Sequence, residues 1–436
     1  MKKFSITHST ALILGSAISS VSFGAGFSLN EQSAKSQGQA YSGRASDADD
    51  ASTLVGNPAG MSRLKQGEIS GGFIVIDAST DIKDGSARYI AGPANVGTSG
   101  SNDGDMVPNI TVPFLYYVQP LDPHWAVGFG IYAPFGLATE YENSFMGRYF
   151  GNKSDVKVIT AQPTVSYRFD NGLSFGLGIT YNRIDGQLNK QNIISPLTSA
   201  TDVSAKVKGD DTAWGYNVGM LYELDDNTRF GLTYFSKVDY TLEGHTELSN
   251  IPAVPPFAAL GGYQRYKAKL DVTTPAKIDF GFTHSFTPEL TLHGDITRTK
   301  WSSLNELKVE NETAIPQFAT STETLNWDDV WFYSLGLSYK IDPQWTIRGG
   351  VALDESPIPD STRTVRIPSN DRTMYSLGAS WDINKDVSID FAYLYLKEKT
   401  AKLNQQGTAL TGATYTYSAR YENDANIFGV QLNWKL

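Results

Sequence analysis

The chain of 436 residues contains no cysteine, so neither a disulfide framework nor a thiolate metal site is available to it. Long apolar runs are missing too. Mean hydropathy is -0.28, and beyond the first two dozen residues no stretch approaches the roughly 20 apolar residues that a membrane helix needs. A helical membrane protein is therefore excluded. Basic charge is scarce: without Lys2 and Lys3 the chain carries 34 basic against 46 acidic groups, which gives nucleic acid nothing to bind. Histidine is scarcer still. After the N-terminus only His124, His245, His284 and His293 remain, and none stands with an acid and a nucleophile in a catalytic pattern. The expectation is a protein with no enzymatic activity and no cofactor.

Alternation of apolar and polar residues is abundant. Phe428, Val430, Leu432, Trp434 and Leu436 share one face of a strand, with Gly429, Gln431, Asn433 and Lys435 on the other. The same period of two recurs at Leu173 to Asn182, Trp214 to Tyr222 and Trp331 to Lys340. Strands that rest one face on hydrocarbon must pair sideways without an edge, and only a closed barrel does this in a membrane. Aromatic residues make up 12% of the chain, as the girdles of such barrels require.

Six turn signals punctuate the strands: 121–123, 170–172, 225–227, 287–289, 342–344 and 384–386. Six hairpins, the run Gly71 to Ile76 and the C-terminal strand predict an all-β transmembrane antiparallel barrel of about 14 strands. Longer irregular segments near 84–105, 139–153, 190–210, 245–263, 310–324, 355–366 and 403–414 alternate with the turns. Short turns face the periplasm and long loops face outward in such barrels, which places both chain ends on the periplasmic side. Lys2 and Lys3, the apolar stretch Ala11 to Ile18 and Ser22-Phe23-Gly24 read as a cleaved signal peptide over 1–24. Residues 25–66 are small, polar and Gly-rich. They suit either a free tail or a plug for a lumen too wide for wall side chains to fill.

The mature start Ala25-Gly26-Phe27, the AYSG stretch at 40–43, Ala48-Asp49-Asp50-Ala51, Asn57-Pro58-Ala59, FGLATEY at 135–141, Trp301-Ser302 and Asp354-Glu355-Ser356-Pro357 occur in one order over some 350 residues. In that order the chain resembles the FadL-type family of outer-membrane transporters for long-chain fatty acids and other hydrophobic compounds. The resemblance implies an N-terminal hatch over 25–66, turned at Asn57, Pro58 and Ala59, inside a barrel over 67–436 in the outer membrane of a Gram-negative bacterium. It implies a kink in the third strand at Pro134, Phe135 and Gly136 that opens the wall sideways. Pro134 lacks a ladder donor and Gly136 permits unusual backbone angles, so a local break in pairing is expected there.

For substrate contacts the resemblance points to Lys308 as the basic residue that meets a carboxylate, with Lys190 as a second and Phe27 at the chain start. The apolar loop 251–260, with Phe257 and Leu260, is expected to capture greasy solutes, aided by Ile193, Ile194 and Leu197. Asp371 and Arg372 are expected as an ion pair in the lumen. The implied partners are a long-chain fatty acid or similar hydrophobic molecule, outer-membrane lipid and the barrel assembly machinery, and the chain is expected to be monomeric. Its final Leu436 departs from the usual terminal Phe. Uptake of monoaromatic hydrocarbons, a barrel hydrolase and an open porin are the competing readings.

Overall fold

The computed structural model describes residues 26–193, 202–253, 257–410 and 412–436. The expected signal peptide, Ile194, Leu197 and Val254 to Pro256 of the apolar loop lie outside the described residues. Fourteen strands close into a barrel: β1 (Glu68–Ala91), β2 (Ile110–Pro120), β3 (Trp125–Glu140), β4 (Lys153–Arg168), β5 (Leu173–Asn192), β6 (Val203–Glu223), β7 (Thr228–Phe235), β8 (Lys277–Ser285), β9 (Leu290–Thr299), β10 (Val330–Lys340), β11 (Trp345–Asp354), β12 (Arg372–Asp382), β13 (Val387–Glu398) and β14 (Thr414–Lys435). Each pairs antiparallel with the next. The ring closes where β1 meets β14, from Glu68 opposite Lys435 to Ile90 opposite Thr414.

The period of two now has a physical meaning. Phe73, Leu115, Leu337 and Phe428 are 40–50% exposed on the outer face, while Ser70, Gln162, Asn217 and Gln431 are buried on the inner one. This inverts the burial pattern of a soluble protein, as lipid contact demands. Trp345 stacks on Trp381 at 5.8 Å beside the short turns, and Trp214 meets Tyr181 at 5.0 Å toward the other end. The eight steps from Tyr222 to Trp214 cover about 26 Å along β6, close to the height of an outer-membrane apolar band.

All six turn signals join consecutive strands. The long segments are less irregular than their composition suggests, because several continue the wall beyond the membrane. Val238–Ser249 and Tyr263–Thr274 prolong β7 and β8 after breaks at 236–237 and 275–276, and Glu306–Asn311 pairs with Thr320–Thr324. Their outward faces carry Lys, Glu and Asp where the membrane strands carry Leu and Phe. They therefore alternate without looking like membrane strand.

Residues 26–66 lie inside the ring. A short 3₁₀ helix, Pro58–Arg63, starts at Asn57, whose side chain accepts from Ala59 N at 3.0 Å and donates to Ala45 O at 2.7 Å and Met220 O at 2.9 Å. Gly176 and Gly219 on the facing strands leave room for it: a Cβ on either would overlap Pro58. Further ties run from Ala45 N to Asp295 at 3.0 Å, from Arg44 to Asp279 at 2.9 Å, from Thr233 to Gly56 O at 3.0 Å and from Ala34 N to Gln431 at 3.0 Å. The segment is thus fastened to strands all round the wall.

Candidate functional site

The site begins where the wall ladder fails. β2 and β3 pair only from Pro120 opposite Ala126 to Leu115 opposite Ile131. Beyond Ile131, β3 keeps β4 as its neighbour, with a register shift between Tyr132 and Phe135. The Pro134 carbonyl, left free at this bulge, accepts from Leu29 N at 2.9 Å, and Gly136 N donates to Phe27 O at 2.9 Å. The start of the described chain thus lies against the edge that β2 has vacated. Phe27 anchors it, 6% exposed, with its ring 5.7 Å from Phe135, 4.9 Å from Trp301 and 6.1 Å from Trp327. Gly26 fits because a Cβ there would run into both indoles.

Phe27 forms part of the lining of an apolar cavity. Leu137 and Val156 enclose it on the β3–β4 side, Leu242, Leu270 and Val272 on the extended hairpin, and Leu304 and Trp327 opposite. Outward of it lies a larger, more polar vestibule of about 1820 Å³, open to solvent, and Leu188, Val207, Leu307, Glu323 and Arg366 border both chambers.

Strand β5 shows how the sequence grades the two. Ile184, Gly186 and Leu188 face the apolar cavity, and two residues on, Lys190 faces the vestibule. Lys190 Nζ donates to Ser321 Oγ at 3.1 Å and, among the described residues, has no carboxylate within ion-pair distance. Arg366, by contrast, is engaged. It pairs with Glu323 at 3.0 Å and donates to Lys153 O, Ser154 Oγ and Asn189 O.

The other expected residues are placed differently. Lys308 points away from the cavity, because its neighbours Leu307 and Val309 take the inward positions of Glu306–Asn311. Its ammonium pairs with Glu310 at 2.5 Å in solvent, and that hydrogen bond holds it above the ordinary lysine range. Phe257 is buried against Phe318 in a cluster with Val203, Leu248 and Ile251, with Leu260 packed on its side. Phe257 is thus covered largely by neighbouring segments, and neither Phe257 nor Leu260 lines either chamber. Ile193 is buried in a separate cluster with Tyr89 and Tyr149.

Asp371 and Arg372 do not pair with each other. Consecutive residues of a strand face opposite ways, so Arg372 turns inward to Glu398 at 3.0 Å and Asp354 at 3.9 Å, while Asp371 meets Lys399 at 3.0 Å. Sequence reasoning missed Arg366, which lies in an irregular segment. It also passed over the inward apolar row of Leu307 and Val309, a signal that alternation could have supplied.

A family model for outer membrane protein transport proteins (OMPP1/FadL/TodX) matches residues 15–436. The chain belongs to the FadL family. This FadL-family protein is 30% identical over 461 residues to a long-chain fatty acid transport protein of Escherichia coli O6:H1, covering 99% of each chain. It is 31% identical over 471 residues to outer membrane protein P1 of Haemophilus influenzae, covering 100% of each. Its fold resembles the crystal structure of a Pseudomonas aeruginosa FadL homologue, with a TM-score of 0.84 at 23% identity over 94% of this chain and 100% of that one. The Pseudomonas putida toluene transporter TodX gives 0.65 at 19% identity, over 92% and 97%. The protein is an outer-membrane transport protein and not an enzyme.

Proposed function

We propose that the protein carries long-chain fatty acids passively across the outer membrane, with Lys190 receiving the carboxylate and the apolar cavity receiving the chain. The observation that carries this reading is an ammonium at the rim of a greasy chamber that, among the described residues, has no carboxylate within ion-pair distance. A carboxylate there would gain a charge-assisted hydrogen bond, and each methylene buried below it about 0.8 kcal/mol. The fatty acid transport relatives support the same substrate class. Exit would follow when Phe27 and Leu29 let go of β3, leaving an unpaired wall edge toward lipid. Residues 30–63 stay fastened in this scheme, so the movement belongs to the chain start alone. Neutral aromatic hydrocarbons would fit the cavity equally but leave Lys190 unused.

Equilibrium binding to the purified protein tests the proposal. Lys190→Gln should weaken palmitate binding about tenfold or more, the worth of one charged hydrogen bond, and leave hexadecanol within about twofold. Lys308→Gln should alter neither. Equal loss for acid and alcohol, or loss from Lys308→Gln alone, would remove Lys190 from this role.

A further inference from the structure

The wall continues outward past the membrane, and on one stretch of its outer surface cations outnumber acids. Trp214, 67% exposed beside Tyr181, marks the outer edge of the apolar band on β6. Beyond it Lys208 and Lys206 take outward positions, because Val207 and Ala205 between and after them line the vestibule. Lys208 lies opposite His245 of the Val238–Ser249 strand, and His245 lies opposite Lys267 of the Tyr263–Thr274 strand. One step further out, Lys206 and Arg265 flank Glu247 in the same way. Four cations and a histidine thus cover two rows of three neighbouring strands.

The acids nearby do not balance them. Glu247 is shared by Lys206 at 3.8 Å, His245 at 3.4 Å and Arg265 at 4.0 Å. On the β5 side the neighbours are Gln187 and Asn189, which are neutral. On the other side Glu312 N donates to Lys267 O at 2.9 Å. Even so, neither Lys208 nor Lys267 has a carboxylate within ion-pair distance among the described residues, which include every Asp and Glu of the chain. The row nearer the membrane is matched instead: Asp210 pairs with Arg183 at 3.2 Å, and Glu243 lies opposite Lys269. Around β1 and β14 the outward cations likewise come with acids, Lys83 with Asp81, Arg420 with Asp84 and Lys397 with Asp424.

Height and direction decide what meets this face. Lys208 stands six residues past Trp214, about 20 Å along the strand, which at the usual tilt of about 45° is roughly 14 Å above the apolar band. The face looks sideways into the outer leaflet and away from the vestibule. In an outer membrane that leaflet is lipopolysaccharide, whose sugar core carries phosphates above the acyl region. We propose that Lys206, Lys208, Arg265 and Lys267 form a docking face for the phosphorylated core of outer-leaflet lipopolysaccharide. Donors on neighbouring strands are spaced about 4.8 Å apart, so Lys208, His245 and Lys267 can share the oxygens of one or two phosphates through charge-assisted hydrogen bonds. The glycolipid is thereby held on strands that begin at β6, three along from the break at β3, while β1 beside that break turns Asp77 and Asp81 outward. This docking face is independent of the fatty acid reading.

The test measures binding of fluorescent rough lipopolysaccharide to the full-length protein in detergent. Lys208→Glu together with Lys267→Glu should weaken it about tenfold or more, the worth of a charge-assisted hydrogen bond, and the difference should shrink in high salt. The same glycolipid with its core dephosphorylated should bind wild type and variant within about twofold of each other. Lys397→Glu, on a face already supplied with acid, should change binding less than about twofold. Heat-dependent gel migration, which reports a closed barrel, is read for each variant, and Lys208→Gln with Lys267→Gln replaces the charge reversal where that disturbs the fold. Equal weakening by Lys397→Glu, or a loss that persists with the dephosphorylated core, overturns the docking face. Displacement by equimolar inorganic phosphate overturns it too, because it assigns these lysines to a free anion.

Discussion

Truncation of Phe27 to alanine bears directly on how the chain start is held. The ring touches Phe135, Trp301 and Trp327 and is 6% exposed. Removing a buried phenyl from such a seat costs about 3–5 kcal/mol. The two backbone hydrogen bonds to Pro134 and Gly136 remain, worth about 1 kcal/mol each. A loss of about 3–4 kcal/mol raises the opened fraction of the segment roughly 10²- to 10³-fold. Amide hydrogen exchange reads this at Leu29 and Gly136, the two donors of the clip. Their protection should fall by about two orders of magnitude. The amides of Ala45 and Ala59, which bond Asp295 and Asn57 deeper inside, should keep theirs. A change under about threefold at Leu29 and Gly136 would refute the anchoring role. An equal rise at Ala45 and Ala59 would show that the whole inner segment moves as one body.

Gly219→Val puts a branched side chain into the seat of Asn57 and Pro58, so planar-bilayer recordings should show a conducting pore in place of a closed one; silent channels would contradict the seat. Arg148→Ala leaves Asp202, its buried partner at 3.0 Å, with the Tyr149 hydroxyl but no cation, and should destabilise the outer loops by about 3 kcal/mol, seen as faster cleavage by external protease with the barrel intact. Burial pushes the Asp47 carboxyl up, but Lys35, His293 and Arg229 pull it further down, so it ends below the usual carboxylate range. A depressed carboxylate stabilises above its unfolded pKa and loses that contribution as pH falls toward its folded value. Amide protection around residues 43–50 should accordingly hold from pH 7 to about pH 4 and decline below. A decline that begins near neutrality would point to other groups.

The barrel was legible because lipid enforces the period of two. Trp331, Tyr333, Leu335 and Leu337 had to share a face, and the short turns between such runs could only be hairpins. The break at Pro134 was legible for a related reason, since a residue without an amide hydrogen leaves a gap in the ladder and Gly136 beside it permits the altered backbone. Lys308 shows where the reading stops. In the extended hairpin both faces meet water or a cavity, and a shift of one residue exchanges them. Only the apolar row of Leu307 and Val309 marks the inward side. Asp371 and Arg372 failed as a pair through the same rule, because neighbours in a strand point apart. Arg366, Phe257 and the wall of the vestibule depend on irregular segments whose packing no period announces.

The account stands most directly on where a bound fatty acid puts its two ends. A crystal structure with palmitate brominated at its terminal carbon should give a bromine anomalous peak inside the apolar cavity, among Leu137, Leu270 and Leu304, with the carboxylate at Lys190 Nζ. Bromine confined to the outer girdle of the barrel, or a carboxylate at Lys308 with the chain in solvent, would contradict it.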